Sequence, residues 1–226
     1  MPSPSNPCEQ SPGRHALVFV SQRCWRRLLA ARSDLQADPL VRHWVANGWP
    51  LVRRRPRAGE APGVPLGLAL PPFAGKRRLS VLVQPEDVAA TTPPLPLRSA
   101  RRAAPQAWQP TLDRLQGLAL RHRLEPAVFG SLAWQAITGL PYLTAGSDLD
   151  LLLPVRRETS LGRLAADLAE IEASAPMALD GEFIRNDGAA VNWREIQSGA
   201  QEILVKTLGG VSLIEAPAYL PGSAAP

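Results

Sequence analysis

The chain has 226 residues, of which 45% are hydrophobic and 20% charged, so it can bury a sizeable core in one large domain or two small ones. It contains no apolar run near the roughly 20 residues of a membrane span and no signal-peptide pattern at its start, which indicates a cytoplasmic protein without membrane contact. Its net charge of +5 is divided between a basic half, residues 1–110 (16 basic, 6 acidic), and an acidic half, residues 111–226 (9 basic, 14 acidic), which argues for two parts with different roles.

The first half is predicted to contain a disordered tail and a small domain. Residues 1–13 are rich in Pro and Ser and form the expected tail. Residues 14–85 alternate between short apolar runs and breaks rich in Pro, Gly or Arg, which predicts a small, basic, mixed α/β domain. Its expected elements are strands at 15–20, 49–54, 66–70 and 79–83 and helices at 24–31 and 38–45. Cys8 and Cys24 lack metal-ligand spacing and are predicted to be free thiols.

The second half is predicted to be one larger domain, residues 111–226, joined to the first by a Pro-rich linker over residues 86–110. Its expected helices lie at 111–124, 132–138, 157–173 and 200–208, and its expected strands at 127–129, 149–153, 178–184, 189–196 and 211–214. The sequence Asn186, Asp187, Gly188 predicts a hairpin turn. This order of elements indicates an α/β or α+β domain with a mixed sheet.

Two aspartates at the start of a predicted strand are the first candidates for chemistry. Asp148 and Asp150 are alternate residues, so on a strand both side chains would project from the same face, about 6–7 Å apart. Carboxylates at that spacing can hold one Mg²⁺ or share a pair of ions. The alternative is a pair of solvated aspartates without a function.

A predicted strand–turn–helix precedes the aspartates. Gly130 and Ser131 occupy its turn, where free backbone N–H groups and the Ser131 hydroxyl can bind phosphate oxygens. Ser131 could also be only the N-cap of the helix.

Further candidates lie closer to the C-terminus. Asp180 and Glu182 share a strand face and could supply a third carboxylate, although they could also be solvated acids of an edge strand. Gly181 between them indicates that another group approaches the backbone closely at this position. Lys206 is one of only two lysines and could neutralise phosphates, or it could be a helix lysine with its amine in solvent. Trp134 and Trp193 could line a base or pantetheine pocket, with core packing as the alternative.

These motifs together resemble a known family. The Gly-Ser turn, the Asp-x-Asp strand and the later acid are similar to the polymerase-β type of nucleotidyltransferase fold. The longer stretch around them resembles the phosphoribosyl-dephospho-coenzyme A transferases of malonate decarboxylase systems, also called malonate decarboxylase holo-acyl-carrier-protein synthases. The resemblance is carried by residues 129–144, 147–152, 179–182, 190–195 and 204–207. It is looser near the N-terminus, and the Arg- and Pro-rich stretch 53–110 departs from it.

The resemblance implies transfer of a prosthetic group. The implied donor is 2′-(5″-triphosphoribosyl)-3′-dephospho-coenzyme A, the acceptor is a serine of the decarboxylase's acyl-carrier subunit, and pyrophosphate leaves. Gly130, Ser131 and Lys206 would hold the phosphates, and Asp148 and Asp150 would hold Mg²⁺. Asp180 or Glu182 would complete the metal site or accept the serine proton.

Two other functions remain open at this point. The same fold could use ATP or another nucleotide as donor, or could modify the carrier protein of citrate lyase. The basic first half could instead bind nucleic acid through the Arg- and Lys-rich runs at 53–55, 76–78 and 101–102, but these runs lack interleaved aromatic residues and a recognition-helix pattern.

Overall fold

The computed structural model describes residues 13–220, so all but the last residue of the expected tail at 1–13 lies outside the described residues. It contains two sheets in an α+β arrangement, as the sequence predicts. Among residues 13–220, no helix combines the length and apolar character needed to cross a bilayer.

The first sheet has five antiparallel strands in the order β4-β3-β2-β1-β5. Its strands are β1 (Leu17–Val20), β2 (Leu51–Arg53), β3 (Val64–Ala69), β4 (Arg78–Val83) and β5 (Val88–Thr92), and its helices are α1 (Gln22–Ala31), α2 (Ser33–Ala37) and α3 (Pro39–Ala46). The predicted elements of residues 14–85 are therefore confirmed to within a few residues. We call residues 13–92 the N-terminal unit.

Residues 86–110 do not form the expected irregular linker. They contain β5, which pairs with β1, followed by the short strand β6 (Leu95–Pro96), the helix α4 (Leu97–Ala100) and two 3₁₀ turns. The prolines mark the boundaries of these short elements rather than a break in the structure, because Pro is tolerated at edge strands and at the first turn of a helix.

The second sheet has seven strands in the order β12-β11-β10-β9-β8-β7-β6. The remaining strands are β7 (Ala127–Val128), β8 (Leu149–Pro154), β9 (Leu179–Ile184), β10 (Ala190–Asn192), β11 (Glu202–Lys206) and β12 (Val211–Glu215). The helices are α5 (Gln109–His122), α6 (Gly130–Thr138), α7 (Leu161–Glu172), α8 (Trp193–Gln197) and α9 (Ala216–Tyr219). Only β8 and β9 pair in parallel, so the sheet is mixed, and we call residues 95–220 the C-terminal unit.

Two predicted elements of the C-terminal unit are wrong. Residues 200–208 form the strand β11 instead of a helix, because Ile203 and Val205 are buried while Leu204 between them is exposed, a period of two that suits a sheet. The strand expected at 189–196 ends at Asn192, whose side chain accepts a hydrogen bond from the Arg194 amide and so caps α8.

The core of the C-terminal unit lies on one face of its sheet. Leu149, Leu151 and Leu153 project from alternate positions of β8 into a cluster with α5 and α7 and are completely buried. The intervening position Asp150 must then project from the opposite face. The core thus determines which face of the sheet presents the candidate carboxylates.

Helix α6 and the loop after it join the two units. Trp134 and Tyr142 belong to the C-terminal unit but pack into the core of the N-terminal unit, where Trp134 contacts Trp44 with ring centroids 5.2 Å apart. The Tyr142 hydroxyl donates a hydrogen bond of 2.7 Å to the carbonyl of Ala69, at the end of β3. The core-packing alternative for Trp134 is therefore confirmed.

We expect Tyr142→Phe to lower the free energy of unfolding by about 1–3 kcal/mol, because the Ala69 carbonyl would lose its buried partner. Urea denaturation followed by tryptophan fluorescence measures this change. Thr138→Ala is a useful comparison, since the Thr138 hydroxyl bonds only to the nearby Trp134 carbonyl and Leu140 amide and makes no hydrogen bond to the N-terminal unit. A Tyr142→Phe midpoint equal to that of the wild type would contradict a joining role for this hydrogen bond.

Candidate active site

The parallel pairing of β8 and β9 brings two of the predicted carboxylates together. Asp150 lies directly opposite Asp180 in the register, and Leu152 lies opposite Glu182. Residues opposite each other in a sheet project from the same face, so Asp150 and Asp180 share the face that is turned away from the core. Asp148 lies one residue before β8 and is exposed beside them.

Asp150 lies in an electrostatically unfavourable position for a carboxylate. Burial, together with the neighbouring charges of Asp180 and Asp148, raises the pKa of Asp150 to about 7. The Ser131 backbone amide and the Arg78 guanidinium oppose this rise without cancelling it. Asp148, Asp150 and Asp180 therefore form a cluster of mutually repelling acids, which we call the carboxylate cluster.

Gly130 is required where α6 starts beside the cluster. Its backbone has a φ of +61°, and a side chain at this position would overlap the carboxylate of Asp150. Ser131 lies within the first turn of α6, while Phe129 occupies the N-cap position without a side-chain hydrogen bond. Ser131 is thus not the helix cap, and the helix start is in direct contact with the carboxylate cluster.

Glu182 lies in a different environment from Asp180. Its side chain is only 6% exposed and accepts hydrogen bonds from Arg14 Nη2, at 3.1 and 3.0 Å, and from Lys206 Nζ, at 3.0 Å. His15 Nε2 lies 3.8 Å from the same carboxylate. Burial alone would raise the pKa of Glu182, but contacts with His15, Arg14 and Lys206 hold it well below its usual range. We call these four residues the Glu182 ion cluster.

Lys206 is a strand residue, so its interpretation as a helix lysine with a solvated amine is wrong. Its ammonium group is paired with Glu182 rather than free beside the carboxylate cluster. Sequence reasoning identified both residues but not their pairing, and it did not identify Arg14 at all. A lone basic residue next to the Pro- and Ser-rich start gave no signal of a contact 168 positions away.

Asp180 is exposed and oriented by a neighbour. Asn192 Nδ2, on the adjacent strand β10, donates a hydrogen bond of 3.1 Å to Asp180 Oδ1. Arg194 lies near the carboxylate cluster, but its guanidinium is engaged by Glu172 and stacks on the Trp193 ring. Of the two acids on β9, Asp180 is thus the one that is both exposed and adjacent to Asp150.

The close approach predicted at Gly181 is made by an indole ring. A Cβ atom at Gly181 would lie 2.9 Å from Trp193 Cδ1, and the Trp193 ring is buried with its Nε1 donating to the Leu179 carbonyl. Trp193 therefore supports β9 from the core side. This confirms its core-packing interpretation.

The carboxylate cluster suits a cation that a substrate helps to bind. Among residues 13–220, no three His, Cys, Asp or Glu side chains converge into a complete metal site. Mg²⁺ is usually held by one or two carboxylates together with waters and substrate phosphates. Asp148 and Asp150 offer oxygen ligands, and a divalent cation would relieve their repulsion. These residues fit Mg²⁺ bound jointly with a phosphate-containing substrate.

Comparison with protein families gives matches over nearly all of the described chain. Residues 96–217 match the phosphoribosyl-dephospho-CoA transferase MdcG C-terminal domain, and residues 13–94 match the corresponding N-terminal domain. No solved structure matches the chain significantly.

Several curated proteins are similar to the chain, and each is named phosphoribosyl-dephospho-CoA transferase. One from Bradyrhizobium diazoefficiens is 52% identical and covers 99% of both chains. One from Xanthomonas euvesicatoria is 41% identical over 92% of this chain and 97% of its own. One from Pseudomonas putida is 32% identical over 76% of this chain and 82% of its own.

The α+β fold, the carboxylate cluster and these relatives together define the class of the protein, which is an enzyme that transfers a chemical group. More particularly, the chain belongs to the phosphoribosyl-dephospho-CoA transferase family. The resemblance predicted from the motifs is confirmed.

In metal-free buffer, Asp150→Asn should stabilise the protein more at pH 8 than at pH 5. The pKa of Asp150 is raised on folding, so ionising it costs the folded state about 1.4 kcal/mol per pH unit up to about pH 7. The gain in unfolding free energy should therefore be about 2–3 kcal/mol larger at pH 8. Urea denaturation in EDTA at both pH values measures this difference. Asp113→Asn, at an exposed aspartate, is the control. Equal effects of Asp150→Asn at the two pH values would contradict the repulsion.

Glu182→Gln should destabilise the fold, because Arg14 and Lys206 would keep partly buried charges without a counter-ion. At pH 7 we expect a loss of about 3–5 kcal/mol. The pKa of Glu182 is lowered on folding, so its contribution is present above its unfolded pKa and disappears as the pH falls through the folded one. The difference between variant and wild type should therefore shrink between pH 5 and pH 3. A difference that does not depend on pH would contradict the ionic account.

Proposed function

We propose that the chain transfers a phosphoribosyl-dephospho-CoA group from 2′-(5″-triphosphoribosyl)-3′-dephospho-CoA to a serine of the malonate decarboxylase acyl carrier protein. The observation that carries the proposal is the carboxylate cluster against the N-terminus of α6, in a chain whose relatives are named phosphoribosyl-dephospho-CoA transferase. Clustered acids beside helix-start amides suit a triphosphate with its cation.

The reaction breaks a phosphoanhydride bond of the triphosphate and forms a phosphodiester to the serine. The serine oxygen attacks the phosphorus attached to the ribose, and a new O–P bond forms. The bond from that phosphorus to the oxygen bridging the next phosphate breaks, and its electron pair leaves with pyrophosphate. Catalysis of such a transfer depends mainly on positioning and on neutralising charge.

Asp148 and Asp150 would hold Mg²⁺ together with the triphosphate. The bound ion would neutralise the charge that develops on the phosphate oxygens. The amides at the start of α6, next to Gly130 and Ser131, would bind oxygens of the leaving phosphates because the positive end of the helix dipole lies there.

We assign Asp180 the role of accepting the serine proton. It is exposed, so an incoming protein can reach it, and the hydrogen bond from Asn192 fixes its orientation. Glu182 is less suited to this role, because its side chain is buried and its oxygens already accept hydrogen bonds from Arg14 and Lys206. We assign Glu182 to stabilising the two-unit structure beside the site.

The ion pairs made by arginines of the basic runs favour the transferase over a nucleic-acid-binding role. Arg54 is paired with Glu60, Arg77 with Asp38, and Arg101 with Asp113. Much of the positive charge that gave the first half its basic character is thus used within the fold. Each basic run thus has one arginine neutralised within the fold, which weakens its resemblance to a free basic stripe of the kind that binds nucleic acid.

The experiment is to incubate the protein with Mg²⁺, the triphosphoribosyl donor and apo carrier protein, and to measure the mass of the carrier and the pyrophosphate released. A gain of the donor mass minus pyrophosphate is expected. Parallel reactions with ATP as donor and with the citrate lyase carrier protein separate the alternative substrates. Modification only from ATP, or only of the citrate lyase carrier, would overturn the assignment.

Asp148→Ala and Asp180→Asn should each lower kcat by about 10²-fold or more, for loss of a metal ligand and of the proton acceptor respectively. Both residues are exposed, and loss of either charge relieves the repulsion on Asp150, so thermal stability should not fall. The matched control is Asp113→Ala, an exposed acid on α5 remote from the site. Near-full activity of both Asp148→Ala and Asp180→Asn would contradict these roles.

A further inference from the structure

Among the described residues, Arg78 is a cationic neighbour of the carboxylate cluster whose charge is not already neutralised by an acid. Lys206 is paired with Glu182, and Arg194 is paired with Glu172. Arg78 is exposed and makes no ion pair or side-chain hydrogen bond with any of residues 13–220, yet its positive charge acts on Asp150. Its guanidinium is therefore available to a ligand.

Arg78 comes from the N-terminal unit, and the fold holds it at the site. It begins β4 and lies opposite Ala69 in the β3–β4 register. The Ala69 carbonyl accepts the hydrogen bond from Tyr142, which lies in the loop that leads from α6 to Asp148. The Leu70 amide also donates to the Arg77 carbonyl, at 2.8 Å, so the end of this hairpin is closed.

A second attachment supports the same placement. Arg14 and His15, at the start of the N-terminal unit, contact Glu182 on the sheet face that carries the carboxylate cluster. The His15 ring also lies 4.1 Å from the Phe129 ring, at the residue before α6. The two units are thus joined on two sides of the site, and the position of Arg78 does not depend on a single contact.

From this placement we infer that Arg78 binds the β- and γ-phosphates of the donor, so that the N-terminal unit completes the active site of the C-terminal unit. The inference rests on the proposed function for the identity of the donor. A planar guanidinium can hold two phosphate oxygens at once, and it keeps its charge at any working pH. Arg78 would thereby stabilise the pyrophosphate as it leaves, in the role that sequence reasoning gave to Lys206.

The test compares Arg78→Ala and Arg78→Lys with the wild type. Arg26→Ala is the matched control, because Arg26 is an exposed arginine of α1 without an ion pair among the described residues. The first measurement is the affinity for Mg²⁺-pyrophosphate by calorimetry, which requires no turnover. The second is kcat/KM for the donor, and the third is thermal unfolding.

We expect Arg78→Ala to weaken Mg²⁺-pyrophosphate binding at least 10-fold and to lower kcat/KM by about 10²-fold, with unfolding unchanged. Arg78→Lys should recover part of both losses, and Arg26→Ala should match the wild type. Pyrophosphate affinity of Arg78→Ala within threefold of the wild type would overturn the inference. If the wild type failed to modify the carrier, the proposed function would fail, whereas the pyrophosphate comparison would still decide the role of Arg78.

Discussion

The parallel pairing of β8 with β9 is the constraint on which the rest of the site depends. Alternate leucines of β8 are fixed in the core, so Asp150 must face outward, and the register then sets Asp180 beside it. Bringing these acids together costs the folded protein stability in the absence of a cation. Such a local cost at a site beside a helix N-terminus is typical of positions used for binding or catalysis.

The joint between the two units serves the same site. Asp180 and Glu182 are alternate residues of β9 and project from the same face of the sheet. Glu182 accepts hydrogen bonds from Arg14 of the N-terminal unit, while Asp180 lies beside Asp150 in the carboxylate cluster. On the other side, Tyr142 holds the hairpin that carries Arg78. The basic first half thus contributes a few positioned cations, while several of its other arginines are neutralised within the fold.

Sequence patterns predicted the turns and strands that neighbouring residues determine. They did not predict features that depend on contacts between residues far apart in the chain. The Asp-x-Asp strand, the Gly130 turn and the hairpin at Gly188 follow from neighbouring residues, and the structure contains all three. The apolar run of β11 suited a helix or a strand, and only pairing with β10 and β12 decided between them. The partners of Glu182 and the position of Arg78 depend on contacts between units, which one sequence does not reveal.

The most direct measurement of the central claim is the titration of the Asp150 side-chain carboxyl by ¹³C NMR, with and without Mg²⁺-pyrophosphate. The account predicts a pKa of about 7 in the metal-free protein, because Asp150 is partly buried beside Asp180 and Asp148. It further predicts that the pKa falls when the magnesium complex binds. An Asp150 that titrates near pH 4 and does not respond to the magnesium complex would contradict the account.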